Sequence, residues 1–147
     1  MDYAGAKATF LWYLNHSLGS DERTASEIYH DDAVVEFPQS GEIFRGKDNF
    51  IPWRSQYPDR VAFEVRSVRG GDDTWVVEGQ VSYGVAPGMP FVDVLHFRGR
   101  LVDRETIYVM EGFPADAARA SYAASSGLEA TDGLPIRVSA TEAAAAD

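Results

Sequence analysis

Acids in two places could move protons. Asp31 and Asp32 stand side by side in 29-YHDDAVVEFPQSGEIFRG-46, with Glu36 five residues after Asp31, and Asp93 lies in the run PFVDVLHF among large apolar residues. A carboxylate can act as a general base, and a carboxylic acid as a proton or hydrogen-bond donor, when its surroundings tune its ionisation. For Asp31 and Asp32 the simpler reading is structural. Short polar side chains at a helix exit commonly hydrogen-bond the backbone and turn the chain. Glu36 is one residue out of phase with Phe37 and so faces the other side of its strand. For Asp93 the strand period puts Phe91, Leu95 and Phe97 on the same face as the carboxyl, which must then be paired, protonated or functional. The alternative is a face turned to solvent or to a second copy, with Asp93 in a surface contact.

On the next apolar run, Arg104, Thr106 and Tyr108 alternate with Asp103, Glu105 and Ile107. An arginine in a pocket would favour an anionic or enolate-like ligand, and it would lower the pKa of a nearby acid. It could equally reach the rim or pair with Asp103 or Glu105. His16, His30 and His96 have no metal-ligand spacing, so no metal is expected. Trp12, Trp53 and Trp75 read as core and pocket wall rather than as a cofactor box, and the glycines of Gly70-Gly71 lack the strand-to-helix setting of a phosphate loop. The expectation is a chain that works without a cofactor.

The elements that must position these residues follow from hydrophobic period. Ala6, Phe10, Tyr13 and Leu14 predict a helix over 4–18 that stops at Gly19. Ser20 is expected to cap a second helix whose buried edge is Ala25, Ile28 and Tyr29. AVVEF and GEIFRG make a hairpin around Gln39-Ser40-Gly41. Phe50, Trp53 and Tyr57 predict a third helix over 49–57, in which Pro52 is tolerable only within the first turn. Then VAFEVRSV, TWVVEGQVSYGV, PFVDVLHF and LVDRETIYVM predict an antiparallel meander, with turns at 70–73, Pro87-Gly88 and 98–100. Helices first and strands after predict an α+β fold. Residues 115–124 suit a short helix, 134–138 an edge strand, and the Ala/Ser-rich stretch 121–147 a mobile tail beyond a domain of residues 1–120.

Composition narrows the partners. The chain has 147 residues, no cysteine, and 13 basic against 23 acidic residues for a net charge of −10. That length suits one domain, and the missing thiols exclude disulfides and zinc-thiolate sites. The negative charge argues against nucleic acid and against an anionic membrane. The opening MDYAGAKATFLWYL predicts neither a signal peptide nor a membrane span, which points to a cytoplasmic protein.

The order of elements, together with IYHDDAVVEFP, the FRG before helix three, GRLVDRETIYV and GFPADAAR, resembles the SnoaL-like family of the nuclear transport factor 2-like superfamily. The resemblance covers roughly residues 6–120. It implies three N-terminal helices packed on a strongly curved antiparallel sheet, a cone with an internal pocket, and a homodimer formed through the sheet face. In ketosteroid isomerases of this superfamily the general base immediately precedes the proline of the first strand; here that residue is Phe37, which cannot accept a proton. Tyr13 falls on their oxyanion-hole tyrosine, and Asp93 on their second donor, an aspartic acid held protonated by apolar surroundings. In the related cyclases an aspartate in this pocket acts as a base instead. Their His-x-Asp pair is replaced by Arg104 and Thr106, and the Arg-x-Asp step of the epoxide hydrolases by Phe91-Val92-Asp93.

The resemblance therefore implies a cofactor-independent enzyme of the cyclase, isomerase or lyase kind, acting on an apolar carbonyl-bearing small molecule. Asp93 and Tyr13 would be catalytic, Arg104 and Tyr108 would place the ligand, and Phe37, Trp53 and Phe97 would line the wall. The alternative is a non-catalytic module of the same fold that binds a hydrophobic ligand or dimerises.

Overall fold

Helix α1 (Tyr3–Leu18) starts where Asp2 accepts a hydrogen bond from the Gly5 amide at 2.8 Å, and Ala6, Phe10, Leu14 and Leu18 form its buried stripe. It ends in a Schellman motif: the Asp21 amide donates to the His16 carbonyl and the Ser20 amide to the Ser17 carbonyl, each at 3.0 Å. Ser20 takes the left-handed position of that motif, with φ 62°. It therefore cannot be the expected N-cap. Asp21 caps helix α2 (Glu22–Ala25) instead, accepting from the Thr24 amide at 3.1 Å. A single 3-10 turn (Ser26–Ile28) then leads into the sheet.

The computed structural model describes residues 1–56, 61–84, 88–111 and 113–124, and the backbone of 136–139. Its strands are β1 (Tyr29–Phe37), β2 (Glu42–Arg45), β3 (Val61–Gly71), β4 (Thr74–Tyr83), β5 (Met89–Arg98), β6 (Leu101–Val109) and β7 (Ile136–Ser139). They join in the order β2-β1-β6-β5-β4-β3-β7. The run β3 to β6 is the expected antiparallel meander, while β1 adds to β6 in parallel, so the sheet is mixed. Parallel addition follows from connectivity: the helix α3 (Lys47–Arg54) and the whole meander separate β1 from β6, so no hairpin constrains their direction. The sheet is curled without closing, and the helices cover its concave side.

Three local expectations change. The Asp31-Asp32 step is not a turn after a helix: β1 begins at Tyr29 and carries both acids, with a register shift against β6 between Tyr29 and Val34. Pro52 lies in the second turn of α3, beyond the first-turn position expected for it. Its missing N–H forfeits the bond to the Asp48 carbonyl, four residues earlier in this eight-residue helix. In 115–124, a 3-10 turn at Ala117–Arg119 stands in place of a longer helix. The edge strand of the C-terminal stretch is β7, antiparallel to β3. Tyr57, Pro87 and residues 125–135 and 140–147 lie outside the described residues.

The core between helices and sheet contains Leu14, Val35, Phe50, Val65 and Val102, all fully buried. Each such side chain contributes roughly 1.5–3 kcal/mol through its removal from water. At Gly79 the packing is tight enough that a Cβ would lie 2.2 Å from the Glu64 carbonyl oxygen and 2.8 Å from the Phe91 ring. Among the described residues no helix is long and apolar enough to cross a membrane.

Candidate functional site

A cavity of about 300 Å³ opens between the helices and the concave face of the sheet, within the size range of small-molecule sites. Its helical wall is one stripe of α1, Phe10, Tyr13, Leu14, Ser17 and Leu18, at the spacing of a single helix face. Its sheet wall comes from Phe91 and Asp93 on β5, and from Glu105, Ile107 and Val109 on β6. The faces agree because Asp93 is paired with Ile107 and Leu95 with Glu105, and directly paired residues point the same way.

Asp93 is 8 % exposed, and its Oδ1 is buried without a hydrogen-bond partner. Burial pushes its carboxyl well above the ordinary range; the charge of Glu105 adds to this and Arg54 opposes it. Burial thus favours the protonated form of Asp93, which has an O–H to donate. Tyr13 faces the same space. Burial raises its phenol above the ordinary value, assisted by Glu22 and Glu105 against Arg54, so it too remains a donor.

Below these donors lies a buried ionic cluster. The Arg54 Nη2 contacts Glu105 Oε2 at 2.6 Å, Arg54 Nη1 donates to the Tyr29 hydroxyl at 3.0 Å, and that hydroxyl donates to the same Glu105 oxygen at 2.6 Å. The guanidinium lies 5.1–5.4 Å from the ring centroids of Tyr13, Tyr29, Phe50 and Trp53. Aromatic faces and one carboxylate together replace its water. Glu22 also reaches the cavity: it is 7 % exposed, its Oε1 accepts a hydrogen bond from Ser17 Oγ, and its Oε2 has no partner. Burial raises its carboxyl, opposed by Ser17 and Arg54.

Of the residues singled out from the sequence, Asp93, Tyr13, Phe37 and Trp53 meet at the cavity. Phe37 and Trp53 pack edge to face at 5.3 Å, and Trp53 stacks on Phe44 at 4.8 Å. Arg104 and Tyr108 are on the other face of β6. Arg104 pairs with Glu36 at 3.0 Å and Tyr108 is 39 % exposed. The reason is parity: with Glu105, Ile107 and Val109 turned inward by pairing to β5, the even-numbered residues must turn outward. Phe97 is buried in the core, away from the cavity lining. Asp31 pairs with Lys47 at 3.1 Å and Asp32 with Arg98 at 2.7 Å, both at the surface, while Glu36 accepts from Thr106 at 2.8 Å outside the cone. Among the described residues no group of three or more His, Asp and Glu side chains is arranged to hold a metal ion.

The SnoaL-like domain description matches residues 13–105, which span most of the cavity-forming elements. The chain belongs to the SnoaL-like family. A solved NTF-2 like protein of unknown function from Burkholderia xenovorans LB400 is 30 % identical, covering 84 % of this chain and 97 % of that one with a TM-score of 0.75. A protein from Kribbella flavida DSM 17836, proposed to be a ketosteroid isomerase, is 17 % identical over 90 % of this chain and 95 % of its own, with a TM-score of 0.74. One from Shewanella putrefaciens CN-32, proposed to be a SnoaL-like polyketide cyclase, is 12 % identical over 70 % and 78 %, with a TM-score of 0.61. No curated protein matches significantly.

Arg54, Glu105 and Glu22 also line this SnoaL-like cavity, although none was expected there from the sequence. A signal existed for two of them. Arg54 follows Phe50 at a spacing of four, on the same helix face, and Glu105 alternates with Ile107 and Val109, the apolar set of β6. Nothing in the local pattern distinguishes Glu22 from the other acids around it.

Proposed function

We propose that this SnoaL-like protein is a cofactor-independent enzyme that moves a proton next to the carbonyl of an apolar small molecule, in the manner of an isomerase or cyclase. The observation that carries the reading is a buried Asp93 carboxyl, its Oδ1 without a partner, in the same cavity as the Tyr13 phenol. Two neutral donors converging on one oxygen stabilise the negative charge that develops as a ketone becomes an enolate. In a site shielded from water, such donors are worth more than in solution. The rings of Phe37, Trp53 and Phe63 supply an apolar wall for the carbon skeleton.

The test is exchange of the acidic C–H protons of a bicyclic ketone, 2-tetralone, in deuterated buffer, followed by proton NMR. Exchange above the buffer rate is expected, and Asp93→Leu and Tyr13→Phe should each slow it about 100-fold. Equal exchange by Asp93→Leu and the native protein, or no exchange above buffer, would refute the assignment. A second reading, a carrier of the same ligand class without chemistry, is favoured by Phe37 standing where the related isomerases hold their base. Thermal stabilisation by 2-tetralone without any exchange would select it.

A further inference from the structure

Resting on that reading, we infer that Glu22 is the proton acceptor, a catalytic base supplied by the helical wall rather than by the first strand. Phe37, at the position where the ketosteroid isomerases hold their base, cannot accept a proton, so a proton leaving carbon needs another destination. Three carboxyl groups line the cavity among the described residues: Glu22, Asp93 and Glu105. Glu105 Oε2 is held by Tyr29 and Arg54, each at a short distance. Asp93 is taken by the donor role, which its burial among apolar side chains favours. Glu22 is the carboxyl left without a paired cation: Ser17 holds Oε1, and Oε2 is buried without a hydrogen-bond partner.

A purely structural buried glutamate is expected to use the nearest cation, because an unpaired carboxylate away from water is costly. Here that cation is Arg54, and it is committed to Glu105 and Tyr29. Glu22 thus bears the cost of burial without the usual compensation. Its raised pKa is what a base needs to match a weakly acidic C–H. The wall arrangement also suits the reaction. Tyr13 comes from the middle of α1, Glu22 from the start of α2 and Asp93 from the sheet, so a flat ketone between these walls can present its oxygen to the donors and its neighbouring carbon to Glu22.

In the step itself, the C–H proton beside the carbonyl passes to the Glu22 carboxylate. The C–H electron pair becomes the enolate π bond, and the carbonyl oxygen, now anionic, accepts hydrogen bonds from Asp93 and Tyr13. Glu22 then returns the proton to the same carbon, giving exchange, or to a conjugated carbon, giving an isomer. Nothing is oxidised or reduced, and no co-reactant is required.

The same 2-tetralone assay tests this. Glu22→Gln should lower exchange at least about 100-fold while 2-tetralone still raises the melting temperature of the variant. Glu22→Ala should be slow and should recover exchange on addition of acetate, which a structural role would not produce. The native rate should fall as the pH drops through a Glu22 pKa above the ordinary carboxylate range, and that limb should vanish in Glu22→Gln. If the native protein exchanges and Asp93→Leu slows it, but Glu22→Gln stays within about tenfold of native or acetate does not rescue Glu22→Ala, the base is elsewhere. If the native protein does not exchange at all, the proposed function falls and Glu22 falls with it.

Discussion

Replacing Arg54 by Met should be among the most damaging single changes to this fold. The substitution keeps an unbranched apolar stem but removes the guanidinium that meets Glu105 at 2.6 Å, with 6 % and 4 % of the two side chains exposed. Glu105 would be left with the Tyr29 hydroxyl alone at 2.6 Å, in a place the folded chain seals from solvent. Stranding one partner of a buried pair costs about 3–5 kcal/mol. Against a total stability of roughly 5–15 kcal/mol that is a large share. At about 2–4 °C per kcal/mol for a chain of this size, the melting temperature should fall by roughly 6–20 °C. The double variant Arg54→Met/Glu105→Leu removes both charges and leaves only the Tyr29 hydroxyl without its acceptor. It should lie within about 2 kcal/mol of native, since replacing a whole buried pair by apolar groups is often close to neutral. Urea unfolding followed by tryptophan fluorescence reads both, with the slope checked for constancy. A single variant costing less than about 1 kcal/mol would refute the reasoning, because that is the range of an exposed pair such as Arg104 with Glu36, where Arg104 is 44 % exposed.

The remaining predictions concern the cavity wall. Because burial, aided by Glu105, raises the Asp93 pKa, the folded chain holds a proton that the unfolded chain releases near pH 4. Stability contributed by that proton is complete below pH 4 and is lost as pH rises toward the folded pKa, at about 1.4 kcal/mol per unit. Asp93→Asn should therefore gain on the native protein in urea titrations as the pH rises from 4 toward the folded pKa; parallel curves would show that the Asp93 pKa is not raised. Gly79→Ala should destabilise by about 1–3 kcal/mol, since its Cβ would press on the Glu64 carbonyl 2.2 Å away and on the Phe91 ring. An unchanged melting temperature would mean that β3 and β4 are not held as closely as described.

Local chemistry made much of the architecture legible. The stripe of α1, the turns after Phe37 and Arg98, and the alternating runs from Val61 to Val109 each carry their period in the chain itself, and the structure keeps all of them. Local pattern failed where a second segment competed for the same residues. Ser20 has the chemistry of an N-cap, but closing α1 forces it into the left-handed position and passes the cap to Asp21. Asp31 and Asp32 look like a turn, yet pairing of β1 with β6 draws them into a strand.

What the sequence determined by itself is therefore the cone: three helices, a meander, and the apolar rows that must fold against each other, with Asp93 in one of them. Which acids share the cavity was decided only by tertiary pairing. A strand of period two offers both of its faces, and only the register of β6 against β5 turned Glu105 inward and Arg104 outward. Likewise, α3 could present Arg54 to Glu105 only after crossing the chain to a residue 51 positions away. Periodicity says which residues travel together; the neighbours a buried charge finds depend on how distant segments meet.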